Sequence, residues 1–189
     1  KIIINQKSGL TKLLRNEISE RQKQILTINE IAKINPILWN GDSQMTGDEI
    51  HITRNVKTND LDSLKILNNA FIIEKDTLGK NNFNQMKGIK LFGKFHENEL
   101  KTIELIQNTE MIYYLYDEKT KDLIGIDKAI CSSIIMEIEN NNIKEITFFT
   151  NPEGEVYPEK EMELNLKVLN GFNWRIQEKI EKKEEIFIK

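Results

Sequence analysis

The sequence predicts an all-β fold built as a stacked repeat array, and three observations carry that prediction. A polar turn, spaced apolar residues and a closing Asn recur as Asn59-Asp60-Leu61…Leu64…Ile66…Asn69, Asn98-Glu99-Leu100…Ile103…Leu105…Asn108 and Asn141-Asn142-Ile143…Ile146…Phe148…Asn151; the steps 61→69, 100→108 and 143→151 are all eight. Small residues recur at Gly47, Gly88 and Cys131, at steps 47→88 of 41 and 88→131 of 43. Between them apolar residues alternate with period two, as in Ile50 and Ile52 or Leu64, Ile66, Ala70 and Ile72, which is the mark of half-buried strands. Periods near forty with strand signals indicate supersecondary units that bury their apolar faces by stacking.

Taken in order, residues 1–34 leave two readings open. Leu10, Leu14, Ile18 and Ile25 approximate helical spacing, which suggests an amphipathic capping helix over Thr11–Gln24. Alternatively the segment is a degenerate extra repeat, because Asn35-Pro36-Ile37-Leu38-Trp39 resembles the closing Asn and following strand of the later copies. Residues 35–174 form the β-repeat domain, the first copy having a longer turn over Arg54–Asn59. The pleat puts Leu64/Ile66, Ile103/Leu105 and Ile146/Phe148 on one face. Ile50/Ile52, Leu91/Phe95 and Ile134/Met136 are expected to oppose them across the interior. Asp117–Asp127 reads as an extra hairpin, Leu169–Trp174 as an apolar closing motif, and 175–189 as a charged, mobile or loosely helical tail.

The totals describe a soluble protein of 189 residues, 39% hydrophobic and 30% charged, with net charge −3. This gives no electrostatic footprint of a nucleic-acid binder. The single Cys131 excludes an internal disulfide and a Cys-based zinc site. No run of about eighteen apolar residues is present to span a membrane as a helix. The chain starts at Lys1 without Met, and Ile2-Ile3-Ile4 is too short for a signal-peptide core, so a fragment or processed product is expected.

The chemical motifs are weak. Gly88-Ile89-Lys90-Leu91-Phe92-Gly93-Lys94 has P-loop spacing, but Phe95 stands where Ser or Thr would hold magnesium and the segment alternates as a strand. His51 and His96 lie in different repeats and read as exposed strand histidines. Cys131 reads as a packing thiol, and Asp48, Glu49, Asp60 and Asp62 as solvated turn acids. No catalytic residue, metal or cofactor is therefore expected.

From Asn35-Pro36-Ile37-Leu38-Trp39 through Gly47-Asp48-Glu49-Ile50, Asn68-Asn69-Ala70-Phe71, Phe83–Gly88 and Ile112-Tyr113-Tyr114 to Gly171-Phe172-Asn173-Trp174, the chain resembles the OstA-like proteins. These are Bacteroidetes-type relatives of LptA, the periplasmic bridge of lipopolysaccharide export. The resemblance implies a stacked two-sheet β-jellyroll solenoid, taco-like, joined along one side and open along the other. It implies a non-enzymatic periplasmic protein that shields lipid A acyl chains between its sheets. It also implies pairing with other export components, or with copies of itself, by edge-strand addition. The apolar groove is expected to be lined by Ile50, Ile52, Leu64, Ile66, Leu91, Phe95, Ile103, Leu105, Ile134, Met136, Ile146 and Phe148. The same pattern fits a closed structural or protein-interaction solenoid without lipid cargo, and the turn acids alone suggest a carbohydrate-active enzyme.

Overall fold

The fold follows from long strands that bend once. In the computed structural model, which describes residues 1–180 apart from positions 16, 18 and 141, eleven strands among the described residues share one antiparallel sheet. They are β1 (Ile2–Asn5), β2 (Leu10–Leu14), β3 (Ile37–Asn40), β4 (Ser43–Thr46), β5 (Glu49–Arg54), β6 (Leu61–Lys75), β7 (Phe83–His96), β8 (Glu99–Tyr116), β9 (Leu123–Glu139), β10 (Asn142–Phe149) and β11 (Glu153–Tyr157). Two helices, α1 (Glu20–Ile25) and α2 (Ile28–Ile34), interrupt them. The strand order β1-β2-β5-β6-β7-β8-β9-β10 makes one layer. β3-β4 pairs with the far half of β6, and β11 with the near half of β9, so the other halves of the long strands make a second layer.

The bend is written by the closing Asn of each repeat. Asn68-Asn69, Gln107-Asn108 and Thr150-Asn151 all have positive φ, a left-handed conformation that Asn tolerates better than most side chains. Each bend inserts an extra residue into the ladder, as where Leu67↔Lys90 is followed by Ala70↔Gly88 and Ile106↔Ser133 by Thr109↔Cys131. Such bulges bend the strand that carries them. The small residues sit opposite because the inside of the fold line has little room. A Cβ on Gly47 would stand 2.2 Å from Ile66 Cγ2 and 3.1 Å from the Asn68 carbonyl oxygen. The small-residue step and the Asn step are thus two sides of one corner.

The hairpin tips use one turn chemistry repeatedly. Asn5 Oδ1 accepts from the amides of Lys7 and Ser8, Asn55 Oδ1 from those of Lys57 and Thr58, and Asp117 Oδ1 from those of Lys119 and Thr120. A left-handed residue closes each turn: Gly9, Asn59 and Lys121. Asp117–Asp127 is consequently not an extra hairpin but the tip of the β8–β9 hairpin, since both strands continue past it.

The helix expected over Thr11–Gln24 is displaced. Residues 10–14 are a strand because Leu10↔Thr53 and Leu13↔Ile50 pair them to β5, and helix begins only at Glu20; Ile18 lies outside the described residues. Ile28–Ile34 is a second short helix, with a capping box in which Thr27 and Glu30 satisfy each other's backbone amides. The S/T-x-x-E pattern was the available signal. Asn35 does not reproduce the corner either: it has φ −66 and ψ 145, extended.

Segment 158–180 lies along the outer face of the second layer. There Phe71, Ile73, Ile112, Tyr114 and Ile126 cluster with Met162 and Leu169, with Phe172 and Trp174 packed alongside. Two buried glutamines hold it: Gln44 accepts from the Arg175 amide and donates to the Asn173 carbonyl, and Gln85 accepts from the Leu169 amide and donates to the Lys167 carbonyl. Both faces of this layer are therefore apolar, which is why Phe71-Ile72-Ile73 does not alternate. Up to Ile180 the expected charged tail is partly tied down, with Arg175 donating to the Asn35 carbonyl and Lys179 to Asp42; residues 181–189 lie outside the described residues.

Candidate functional site

The inner wall of the first layer is two cross-strand rows. The first runs Leu13↔Ile50↔Ile66↔Leu91↔Leu105↔Ile134↔Phe148. The second runs Ile52↔Leu64↔Gly93↔Ile103↔Met136↔Ile146. Gly93 leaves no hole, because Leu100 and Leu64 fill the place its Cβ would take. Phe95 stands one row farther out, paired with Leu100. All the residues expected to line the groove join this one cluster; of those residues Ile52, Phe95, Ile146 and Phe148 are half-buried.

Their expected mutual arrangement is corrected by the register. Ile50/Ile52, Leu91/Phe95 and Ile134/Met136 do not oppose Leu64/Ile66, Ile103/Leu105 and Ile146/Phe148 across the interior; they are their neighbours in the same layer, because consecutive antiparallel strands pair directly. The facing wall comes from the second layer. Its middle row is Leu38↔Met45↔Ile72↔Met86↔Met111↔Ala129↔Gly154. This wall was missed because the pattern beyond each bend belongs to strands buried on both faces.

From the fold line outward the wall is graded. Small side chains lie at the corner, at Ala70, Gly88, Thr109 and Cys131. Methionines and Ile72 come next. At the mouth is a polar row of Ser43, Glu74, Asn84, Tyr113 and Asp127. That grading is the shape of a wedge whose apex is dry and whose rim meets water. Burial raises the Glu74 carboxyl above its usual range, against which Asn84 and Ser43 donate hydrogen bonds. Beside it the Tyr116 hydroxyl donates to Asp76, and burial together with that carboxylate pushes the phenol up to about 12.

A raised folded-state value means that Tyr116 supports the fold fully below the ordinary phenol value of 10.0 and loses that support as pH rises through about 12. Alkaline melting curves are therefore expected to show wild type losing stability relative to Tyr116→Phe across that window. An unchanged difference between the two proteins over the same range would contradict it.

The interior is tightly filled. Ile50, Ile66, Leu91, Leu105 and Ile134 have no exposed surface. The cavity between the layers, beside Met45, Met86, Ile103 and Met136, holds about 20 Å³, room for one water. At the rim a cleft of about 650 Å³ opens among Asp42, Glu74, Asn84, Tyr113, Tyr116 and Lys121. The ends of the stack are less enclosed: on β1, Ile2 and Ile4, 67% and 66% exposed, extend the two rows beyond Leu13 and Thr11.

The remaining sequence candidates fall elsewhere. Asp48 is not a solvated turn acid, because Arg15 binds it through both carboxylate oxygens at 2.9 and 3.3 Å. Asp60 accepts from the Asn98 amide at 2.9 Å. His51 is not exposed: its side chain is 15% accessible and lies 2.9 Å from Glu49, whereas His96 is 77% accessible. Cys131 is half-buried beside Thr109. Residues 90–94 of the P-loop-like segment pair with β6 as strand. Among the described residues no group of three or more His, Cys, Asp or Glu is placed to hold a metal ion, and no helix is long and apolar enough to cross a membrane.

No family model and no curated protein matches the sequence. Among solved structures the chain is similar to LptH of Pseudomonas aeruginosa, the LptA-homologous periplasmic component of the conserved lipopolysaccharide transport device. The TM-score is 0.51 at 8% identity, covering 84% of this chain and 91% of that one. The fold is the LptA-like β-jellyroll: a large bent antiparallel sheet that does not close into a barrel.

Proposed function

We propose that this chain is a non-enzymatic carrier module of the periplasm that shields lipopolysaccharide acyl chains between its two layers. The observation that carries the reading is the pair of apolar rows running across the first layer, from Leu13 and Ile52 to Phe148 and Ile146, inside a sheet whose described strands do not close into a barrel. Each methylene moved from water into such a trough contributes about 0.8 kcal/mol, so several chains are held without polar specificity. The likeness to LptH supports the same direction. Among the described residues β1 and β10 end the first layer, and β3 and β11 the second; edges of this kind accept a strand from another export component or from a second copy.

The small interior cavity favours a second reading, a closed scaffold that binds only through its edges. Photo-crosslinking separates the two. A photoreactive side chain at Phe95, Ile146 or Phe148, three of the half-buried positions, is expected to form adducts with lipopolysaccharide, while one at exposed Lys144 on the same strand as Ile146 does not. Adducts at none of the three, beside a working positive control, would leave the scaffold.

A further inference from the structure

The polar row at the mouth contains groups that the protein leaves unused. Glu74, Asn84 and Ser43 are successive cross-strand partners, and Tyr113 pairs with Asp127 two strands farther along. All face between the layers, since Ile72, Met86, Met111 and Ala129, two residues from Glu74, Asn84, Tyr113 and Asp127 respectively, belong to the interior cluster. Glu74 receives only long hydrogen bonds, 3.3 Å from Asn84 and 3.5 Å from Ser43, against a usual 2.7–3.2 Å for N–H···O, roughly. Asn84 spends its oxygen on the Tyr114 amide. Among the described residues the Tyr113 hydroxyl and the Asp127 carboxylate have no hydrogen bond or ion pair, although Asp127 is desolvated.

Adjacent strands are about 4.8 Å apart, so these side chains present a ladder of oxygen acceptors, of which Glu74, Asn84 and Tyr113 line a cleft of about 650 Å³. Ligand sites commonly hold roughly 300–1,000 Å³. The cations nearby are placed differently: Lys75 and Lys121 are exposed at the outer lip, and Lys179 is taken by Asp42.

We propose that this row is a head-group subsite in which Glu74, Tyr113 and Asp127 accept hydrogen bonds from the hydroxyl or ammonium groups of an amphiphile, in preference to a phosphate. It rests on the carrier reading above, because the amphiphile's chain occupies the apolar space next to the row. A donor-bearing head pairs with acceptors that the half-buried rim leaves only partly hydrated, whereas a phosphate brings negative charge to two carboxylates. Burying such groups unpaired is costly, and pairing them recovers that cost.

The test is displacement of N-phenyl-1-naphthylamine, an uncharged fluorescent probe of apolar space, from the full chain by dodecyl maltoside, dodecylammonium and dodecyl phosphate, each below its micelle-forming concentration. Wild type is expected to bind the maltoside or the ammonium about tenfold more tightly than the phosphate, which corresponds to about 1.4 kcal/mol. Maltoside preference identifies sugar hydroxyls as the donors; ammonium preference identifies amines. Tyr113→Phe and Asp127→Asn are expected to shrink the preference at least threefold while leaving probe affinity unchanged. Equal or tighter binding of the phosphate, or a preference untouched in both variants, overturns the subsite and spares the carrier. Failure of the probe and all three amphiphiles to bind overturns both.

Discussion

A chain ending at Tyr157 is expected to lose its solubility, measured against one ending at Ile180. The outer face of the second layer carries Phe71, Ile73, Ile112, Tyr114 and Ile126, none more than 6% exposed. Segment 158–180 is what covers them. Burial of each such side chain contributes roughly 1.5–3 kcal/mol. Together they approach the whole margin of a typical domain, about 5–15 kcal/mol, although ordering the segment offsets part of it. Removing it also strands Gln44, which spends both ends of its amide on the segment's backbone, and leaves Gln85 with the Phe83 carbonyl alone in place of its bonds to Lys167 and Leu169. Soluble monomers rarely expose contiguous apolar patches larger than a few hundred Å², roughly, and five large apolar side chains laid bare side by side add to such a patch. The readouts are soluble yield and binding of a hydrophobic dye. A truncated chain that stays monomeric and melts at the reference temperature would contradict the role assigned to the segment.

How much of this was legible follows from where the physics is local. The eight-residue step and the small-residue step were visible because a sharp strand bend needs a left-handed residue on one strand and little bulk on its neighbour; Asn69, Asn108 and Asn151 met Gly88 and Cys131 there. The first-layer rows were visible because that layer has one wet face and alternates cleanly. What was hidden depends on contacts distant in sequence. Nothing near Gln44 announces that it will hold Asn173 and Arg175, and nothing in Phe71-Ile72-Ile73 says that two coverings lie on opposite sides. The opposition of Ile50 to Leu64 was misjudged for a related reason. A jellyroll made by folding one sheet places sequence neighbours side by side, and only the halves beyond each bend face one another. The three Asx turns and the Thr27–Glu30 box were legible and were missed amid a high Asn and Lys background.

The interior and the edge of the apolar rows are expected to respond in opposite ways to shortening, which is the sharpest consequence of a filled wedge. Leu105 has no exposed surface and sits mid-row between Leu91 and Ile134. Leu105→Ala leaves a cavity that both layers are too well supported to close, at about 2–5 kcal/mol in urea unfolding. Phe148 ends the same row on the free strand β10 and is half-buried, so Phe148→Ala is expected to cost less, about 1–2 kcal/mol. For acyl-probe binding the order reverses. A chain threading in from the half-open end loses the apolar surface of Phe148 first; since each methylene contact contributes about 0.8 kcal/mol, a loss of at least about fivefold in affinity is expected. Leu105→Ala only enlarges the space behind it and leaves affinity equal or higher. A closed scaffold gives the same two stability losses with no probe signal in either variant. If Leu105→Ala weakens the probe as much as Phe148→Ala does, the chain enters through the middle of the wedge by parting the layers, and the end-on route from β10 is wrong.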